Sequence, residues 1–253
     1  MKNLKFLLAA MMLLTLPYSS VKAQTKGNGN VTTEERQVPA FDAVKVSGAI
    51  NLIISQGNQQ SVKVQTDENL QSHIIATVID ETLNLSCKNM QNPTKTNVYV
   101  TAVKLTKIAA SGAVKVTGET VFKSDAFSLN TSGATQVVLD IETGTFDNET
   151  SGASKSTINI KAKTANTEIS GAGIMMLKGT VEKHNAKVSG AGKLEAADLI
   201  TEYTNANVSG AGNAIVMARK QLKTDKSGAG SISYIDKGET KSIKQKDENV
   251  ITF

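Results

Sequence analysis

The amino-acid sequence predicts an all-β protein: a right-handed, single-stranded parallel β-solenoid (β-helix) with coils of about 19 residues, preceded by a less regular β region. Three observations carry this. The tripeptide Ser-Gly-Ala begins at Ser47, Ser111, Ser132, Ser151, Ser170, Ser189, Ser209 and Ser227. From Ser111 onward the interval is nearly constant, longest between Ser111 and Ser132 and shortest between Ser209 and Ser227. Between the tripeptides, apolar and polar residues alternate with a period of two, as in strands with one face in and one face out. No proline follows Pro93, as expected where each coil offers its backbone N–H groups to a ladder. A helix would need about ten residues at a period of 3.6, and the array shows neither. Parallel crossovers favour the right hand.

The chain opens with a targeting segment. Lys2 and Lys5 form a positive start, Phe6 to Leu16 an apolar run broken only by Thr15, and Val21-Lys22-Ala23 a cleavage site. Residues 1–23 therefore read as a secretory signal peptide, too short to span a bilayer. No other stretch is long and apolar enough to cross one, and no cysteine follows the apolar run to take a lipid anchor. Lys2, Lys5 and Lys22 leave with the signal and no acidic residue goes with them, so the formal charge falls from +5 to roughly +2. That removes the case for nucleic acid, which needs a concentrated basic face. Cys87 is the single cysteine, so an intrachain disulfide is excluded and a buried, inert thiol is expected. Aromatic residues are 4% of the chain and Trp is absent, so the core must be built from Val, Ile, Leu and Ala.

Residues 24–37 are polar and lack an apolar period, which reads as a flexible leader. Residues 38–105 form an irregular β region continuous with the solenoid. Val44, Val46, Ile50, Leu52 and Ile54 alternate around Gly48, Val62 and Val64 follow a Gln56-Gly57-Asn58 turn, and an Asp80-Glu81 turn precedes Leu83 and Leu85. Residues 106–236 are the regular coils. In most coils, five, three and one residues before the Ser stand small or apolar residues, such as Phe127, Leu129 and Thr131, or Thr204, Ala206 and Val208. Five and seven residues after it the pattern returns, as in Val137 and Leu139 or Met175 and Leu177. A third apolar cluster, including Val121, Ile141, Val181 and Leu199, closes each turn, so three short strands and their corners are expected per coil. Residues 237–253 form a charged C-terminal cap in which Val250 to Phe253 can return as a terminal strand.

Gly enters positive φ without steric cost, so Gly48, Gly112, Gly133, Gly152, Gly171, Gly190, Gly210 and Gly228 are expected to be the structural corners. The Ala that follows each suits an inward position where coils approach, and the Ser hydroxyl can bond to the neighbouring coil. A second Gly follows at Gly173, Gly192, Gly212 and Gly230, which suggests a corner that tightens toward the C-terminus. A serine nucleophile is excluded because no base recurs beside it.

The phrase FDAVKVSGAINLIISQG at Phe41 to Gly57, the NVYVTAVKLTKIAASGA segment at Asn97 to Ala113 and the Ser-Gly-Ala-Gly array together resemble the putative auto-transporter adhesin head domain, also called the GIN domain, common in secreted proteins of Bacteroidetes-type bacteria. The resemblance runs from about Val38 to Ile235. It implies a right-handed β-solenoid in an envelope or extracellular setting and an adhesive role, and it brings no catalytic residues. The sequence has neither a translocator barrel after the domain nor a heptad stalk before it, so autotransport by this chain alone is not expected.

The sequence offers no catalytic residue, no metal site and no cofactor motif. His73 and His184 stand apart, without a nearby Cys or patterned carboxylates, and read as isolated structural or surface histidines. The residue after Ser-Gly-Ala-Gly is Ile174, Lys193, Asn213 or Ser231, not the Asp of a calcium-binding β-roll. Glu149 and Glu168 fall at equivalent positions of neighbouring coils, as a catalytic carboxylate pair would, but Lys187 follows at the same position and relieves their repulsion. The candidate binding face is the outward strip of Asn130, Asp147, Glu149, Asn166, Glu168, Asn185, Lys187, Asn205 and Asn207, continued by Ser128. Flat solenoid faces bind extended polymers or proteins, although Asn ladders also stabilise stacked strands without any ligand.

The functional expectation is an exported, non-catalytic β-solenoid that presents a binding surface at the cell envelope in an adhesin-like role. Its partner would be a protein or polysaccharide at the cell surface, and its location periplasmic, outer-surface or extracellular. The alternatives are a structural envelope or matrix protein without a discrete ligand, and a β-helix enzyme acting on polysaccharide. The oligomeric state is left open.

Overall fold

In-register stacking of the tripeptides turns the period-two pattern into a solenoid. The computed structural model describes residues 24–236, 238–243 and 249–253, and the signal peptide expected at residues 1–23 lies outside them. Strands β1 (Thr25–Lys26) and β2 (Val31–Glu35) precede the first coil, made by β3 (Ala43–Gly48) and β4 (Asn51–Gln56). Then come β5 (Ser61–Asp67), a 3-10 helix at Glu68–His73, β6 (Ile74–Ile79), β7 (Thr82–Cys87), β8 (Met90–Gln91) and β9 (Thr96–Ala102), of which β7 and β9 stack parallel on β3 and β4. The stack resumes with β10 (Lys107–Gly112), β11 (Lys115–Gly133), β12 (Gln136–Thr150), β13 (Lys155–Ile169), β14 (Ile174–Val188) and β15 (Lys193–Gly210). It ends in β16 (Asn213–Met217), β17 (Gln221–Gly228), β18 (Ser231–Asp236), β19 (Glu239–Ser242) and β20 (Asn249–Thr252). From β10 to β18 each coil pairs parallel with the next, and β3 joins the same ladder with Ser47 and Gly48 opposite Ser111 and Gly112. The chain is thus a parallel β-solenoid whose stacked coils follow the repeat of the tripeptide.

The uneven intervals have a structural cause. The longest, from Ser111 to Ser132, carries a register shift between Thr117 and Val121. The interval from Ser189 to Ser209 carries one between Met176 and Lys178 of the coil below. Extra residues bulge out of one coil while the ladder on either side stays in register. The shortest interval, from Ser209 to Ser227, coincides with the break between β16 and β17.

Each coil is bent rather than broken. In β12, Val137, Leu139, Ile141 and Thr143 face inward, the alternation slips once at Gly144-Thr145, and Phe146, Asn148 and Thr150 then face inward. Where three short strands were expected, the chain runs as one strand of 19 residues in β11 and 15 in β12, because the ladder bends with only local skips in its pairing. Val121 corrects the expected third cluster: it is about half exposed, and Phe122 beside it is fully buried. Phe41, Phe122, Phe127 and Phe146 are all in the core, so Val, Ile, Leu and Ala do not fill it alone. Phe122 and Phe127 meet at 6.2 Å between ring centroids in the coil widened by the first bulge.

The corner differs from expectation in one respect. All eight Ala residues of the tripeptide are exposed, and the inward residue is the next one: Ile50, Val114, Thr135, Ser154, Gly173, Gly192, Gly212 and Gly230. The second Gly is required by packing. A Cβ on Gly173 would lie 2.6 Å from Thr150 Cγ2, and one on Gly192 2.6 Å from Ile169 Cγ2. The Ser hydroxyls do reach the adjacent coil: Ser151 Oγ donates to Thr131 O at 3.3 Å and Ser189 Oγ to Ile169 O at 3.4 Å. These bonds are long and half-exposed, so Ser189→Ala should cost only about 0.5 kcal/mol. A shift of the denaturant midpoint several times larger would show that the hydroxyl column, not the glycine column, holds the corner. Cys87 lies under the first corner, where its Sγ accepts from Ala49 N at 3.3 Å. It is half-buried rather than fully enclosed.

Residues 57–106 cap the N-terminal end. β9 extends the first coil in parallel with β4, β5 pairs antiparallel with β9, and β2 pairs antiparallel with β5. The leader is therefore not a flexible tail. Val31 to Glu35 form an edge strand whose partner, Lys63 to Asp67, lies beyond the whole first coil, so no local pattern in 24–37 announces it. Arg36 donates to Gln71 O and Oε1, both at 2.9 Å, and pairs with Glu34. Asp67, fully buried, accepts from Thr94 N and Gly29 N at 2.7 Å and from Thr94 Oγ1 at 2.8 Å. Burial alone would raise its carboxyl pKa, but these bonds outweigh burial and hold it below the ordinary range. At the other end β20 returns antiparallel to β17, and β19 antiparallel to β18.

Candidate binding face

Two residue columns define the outward strip before each corner. Four residues before each Ser from Ser111 onward, the ladder aligns Lys107, Ser128, Asp147, Asn166, Asn185, Asn205 and Lys223. Two residues before it, the ladder aligns Lys45, Ala109, Asn130, Glu149, Glu168, Lys187, Asn207 and Asp225. All nine residues expected on the strip thus share one face, because alternation points them outward and register stacks them at the spacing of paired strands, about 4.8 Å.

The columns are bonded along the solenoid axis. Asn166 Nδ2 donates to Asp147 Oδ1 at 2.7 Å, and Asn185 Nδ2 to Asn166 Oδ1 at 2.9 Å. Asn207 Nδ2 donates to Asp225 Oδ2 at 3.2 Å. In the second column Lys187 Nζ meets Glu168 Oε1 at 2.9 Å, the relief of repulsion that the spacing suggested. Glu149 has no ion-pair partner among the described residues. Asp147, Glu149 and Glu168 make the middle of the strip acidic, with Lys45 and Lys107 toward the N-terminal end and Lys187 toward the C-terminal end.

Two shallow grooves run beside these columns. One, of about 430 Å³, lies between them, lined by Asp147, Glu149, Asn166, Glu168, Asn185 and Lys187 among others. The second, about 450 Å³, lies between the Glu column and the corner serines. Lys45, Ser111, Ser132, Ser151 and Ser170 line it with Asn130, Glu149 and Glu168. Lys45 and the serine wall were missed from sequence. The signal was present: Lys45 stands two residues before Ser47 as Glu149 does before Ser151, but the long interval after Ser47 hid that coil's place in the stack.

The two histidines separate. His73 is half-exposed, its Nδ1 3.0 Å from Lys88 O. His184 faces inward, fully buried, with Nε2 3.2 Å from Thr167 Oγ1 and Nδ1 without a partner. Burial lowers its pKa to about 4. Among the described residues, no group of three or more His, Cys, Asp or Glu is placed to hold a metal ion. None of their helices is long and apolar enough to cross a membrane.

A model of the family described as "Putative auto-transporter adhesin, head GIN domain" matches residues 40–167 and 140–238. No curated protein matches the chain. Among solved structures, a putative adhesin from Parabacteroides merdae ATCC 43184 superposes with a TM-score of 0.79 at 22% identity, over 85% of this chain and all of its own. A putative lipid binding protein from Parabacteroides distasonis ATCC 8503 gives 0.76 at 20% identity, over 84% and 99%. A putative adhesin from Bacteroides fragilis NCTC 9343 gives 0.64 at 22% identity, over 83% and 90%. At these identities the likeness shows a shared fold.

Proposed function

This chain belongs to the family of putative auto-transporter adhesin head domains, and from that premise we propose that it is an exported, non-catalytic solenoid holding an extended polymer along its Asn/Glu face at the cell envelope. The observation that carries the proposal is the pair of grooves on either side of the Glu149–Glu168 column, parallel to the solenoid axis and crossing several coils. A linear glycan or an extended peptide laid there would meet the same hydroxyl, amide or carboxylate group once per coil, so small contacts would add along its length. The acidic centre flanked by Lys45 and Lys187 favours a ligand with hydroxyls or amides over a polyanion. Against catalysis, Glu168 is held in an exposed ion pair with Lys187 and Glu149 is also exposed, so neither stands in the water-excluded site that acid–base chemistry on a glycan would use.

One observation favours a purely structural role. The Asn166 and Asn185 amides bond to neighbouring coils, so they stabilise the stack whether or not a ligand is present. Screening the secreted chain against glycans and envelope proteins separates the readings. Binding is expected, and the exposed double replacement Glu149→Arg with Glu168→Arg should weaken it about tenfold without changing thermal stability by more than about 1 kcal/mol. Silence across a broad panel would leave the structural reading standing. Hydrolysis of a polysaccharide lost in the same variant would overturn the non-catalytic assignment.

A further inference from the structure

Among the described residues, β6 pairs with β7 alone. Its sequence, Ile74-Ile75-Ala76-Thr77-Val78-Ile79, contains no charge and no proline, two of the devices that blunt a sheet edge. The edge strands β2 and β19 carry charges at Glu34, Glu35, Glu239 and Lys241. On β6, Ile75 is 36% and Ile79 61% exposed, and Thr77 between them is exposed as well.

The hairpin fixes which backbone groups are free. Asp80 and Glu81, both at positive φ (47° and 56°), make a two-residue turn, so Ile79 and Thr82 are its closing bonded pair. At the far end Lys88 N–H donates to His73 O at 3.2 Å, in the same register. Residues 73, 75, 77 and 79 therefore spend their backbone groups on β7. Those of Ile74, Ala76 and Val78 point to the open edge.

We propose that this edge pairs with β6 of a second copy of the chain, antiparallel about a two-fold axis through Ala76. In that register Ala76 faces the partner's Ala76 and Ile74 faces the partner's Val78, so every free N–H and C=O of the strand meets an equivalent one. Ile75 then lies across from the partner's Thr77 on the exposed face. The acidic Asp80-Glu81 turn of each copy arrives beside the His73 and Lys88 end of the other, which gives the register charge complementarity. An isologous contact of this kind closes on itself and yields a dimer rather than a filament. Both solenoids would extend away from the joint, each with its Asn/Glu face free.

Sedimentation equilibrium of the secreted chain tests this. Twice the single-chain mass is expected at micromolar concentrations. Ala76→Pro removes an N–H used only at the free edge and leaves the β7 ladder intact, so it should return the mass to one chain. Ile79→Lys, an exposed change, should weaken dimerisation at least about tenfold. A wild-type chain that stays single at high concentration would overturn the proposal. So would a dimer indifferent to both replacements, or an edge occupied by a different protein.

Discussion

Replacing Gly190 with Val is expected to lower folding stability by about 3 kcal/mol, on the order of 10 °C in Tm for a chain of this length. Gly190 sits at φ +79°, a region a β-branched residue enters only under strain. A Cβ there would lie 2.9 Å from Gly171 O and 3.1 Å from Gly171 N. Neither atom can yield, because Ala191 N donates to that same carbonyl at 2.8 Å. The insult is therefore to the stacking of two coils and not to one turn. Thermal denaturation followed by the β-sheet signal measures it. A Tm within about 2 °C of wild type would refute the assignment of these glycines as corners.

Acidification should destabilise the protein by about 3 kcal/mol between pH 6.5 and pH 4, through His184 alone. Its pKa falls from the ordinary 6.5 to about 4 because burial disfavours the imidazolium. As pH falls through 6.5 the unfolded chain takes up a proton that the folded chain refuses, so stability declines until the folded-state value is reached and then levels off. The neighbours of His184 in the ladder are Ala165 and Thr204, and neither can pair with a charge. Asp67 acts in a separate window: with its carboxyl held below 3.8, its contribution is intact above that pH and is lost below it. Denaturant titrations of wild type and His184→Leu between pH 7 and pH 4 isolate the histidine term. The variant should show a nearly flat profile over that range. An equal slope in both proteins would mean that the acid sensitivity lies elsewhere.

The candidate face was legible for a simple reason. Asp147, Glu149, Asn166, Glu168, Asn185, Lys187, Asn205 and Asn207 hold constant offsets from a recurring Ser, and constant offset in a stacked repeat is spatial alignment. Lys45 has the same offset and was overlooked because the long stretch between Ser47 and Ser111 interrupts the period. The course of that stretch depends on antiparallel pairings that no periodicity encodes. Val121 and the corner alanines were misplaced for a related reason. Alternation predicts sidedness along a straight strand, but a bulge or a positive-φ corner shifts the parity, and its exact position depends on how neighbouring coils fit.

By itself the sequence determined the repeat, the all-β class, the glycine corners and the composition of the outward strip, because each follows from local chemistry repeated at a fixed interval. The tertiary structure decided what the interval could not carry. It ordered the leader as an edge strand on β5, turned residues 57–106 into a cap, and buried His184 at a position where the next coil has Thr204. It also left the outer edge of β6 open. Those outcomes depend on contacts between segments far apart in the chain, and the energy of such contacts belongs to the packed whole.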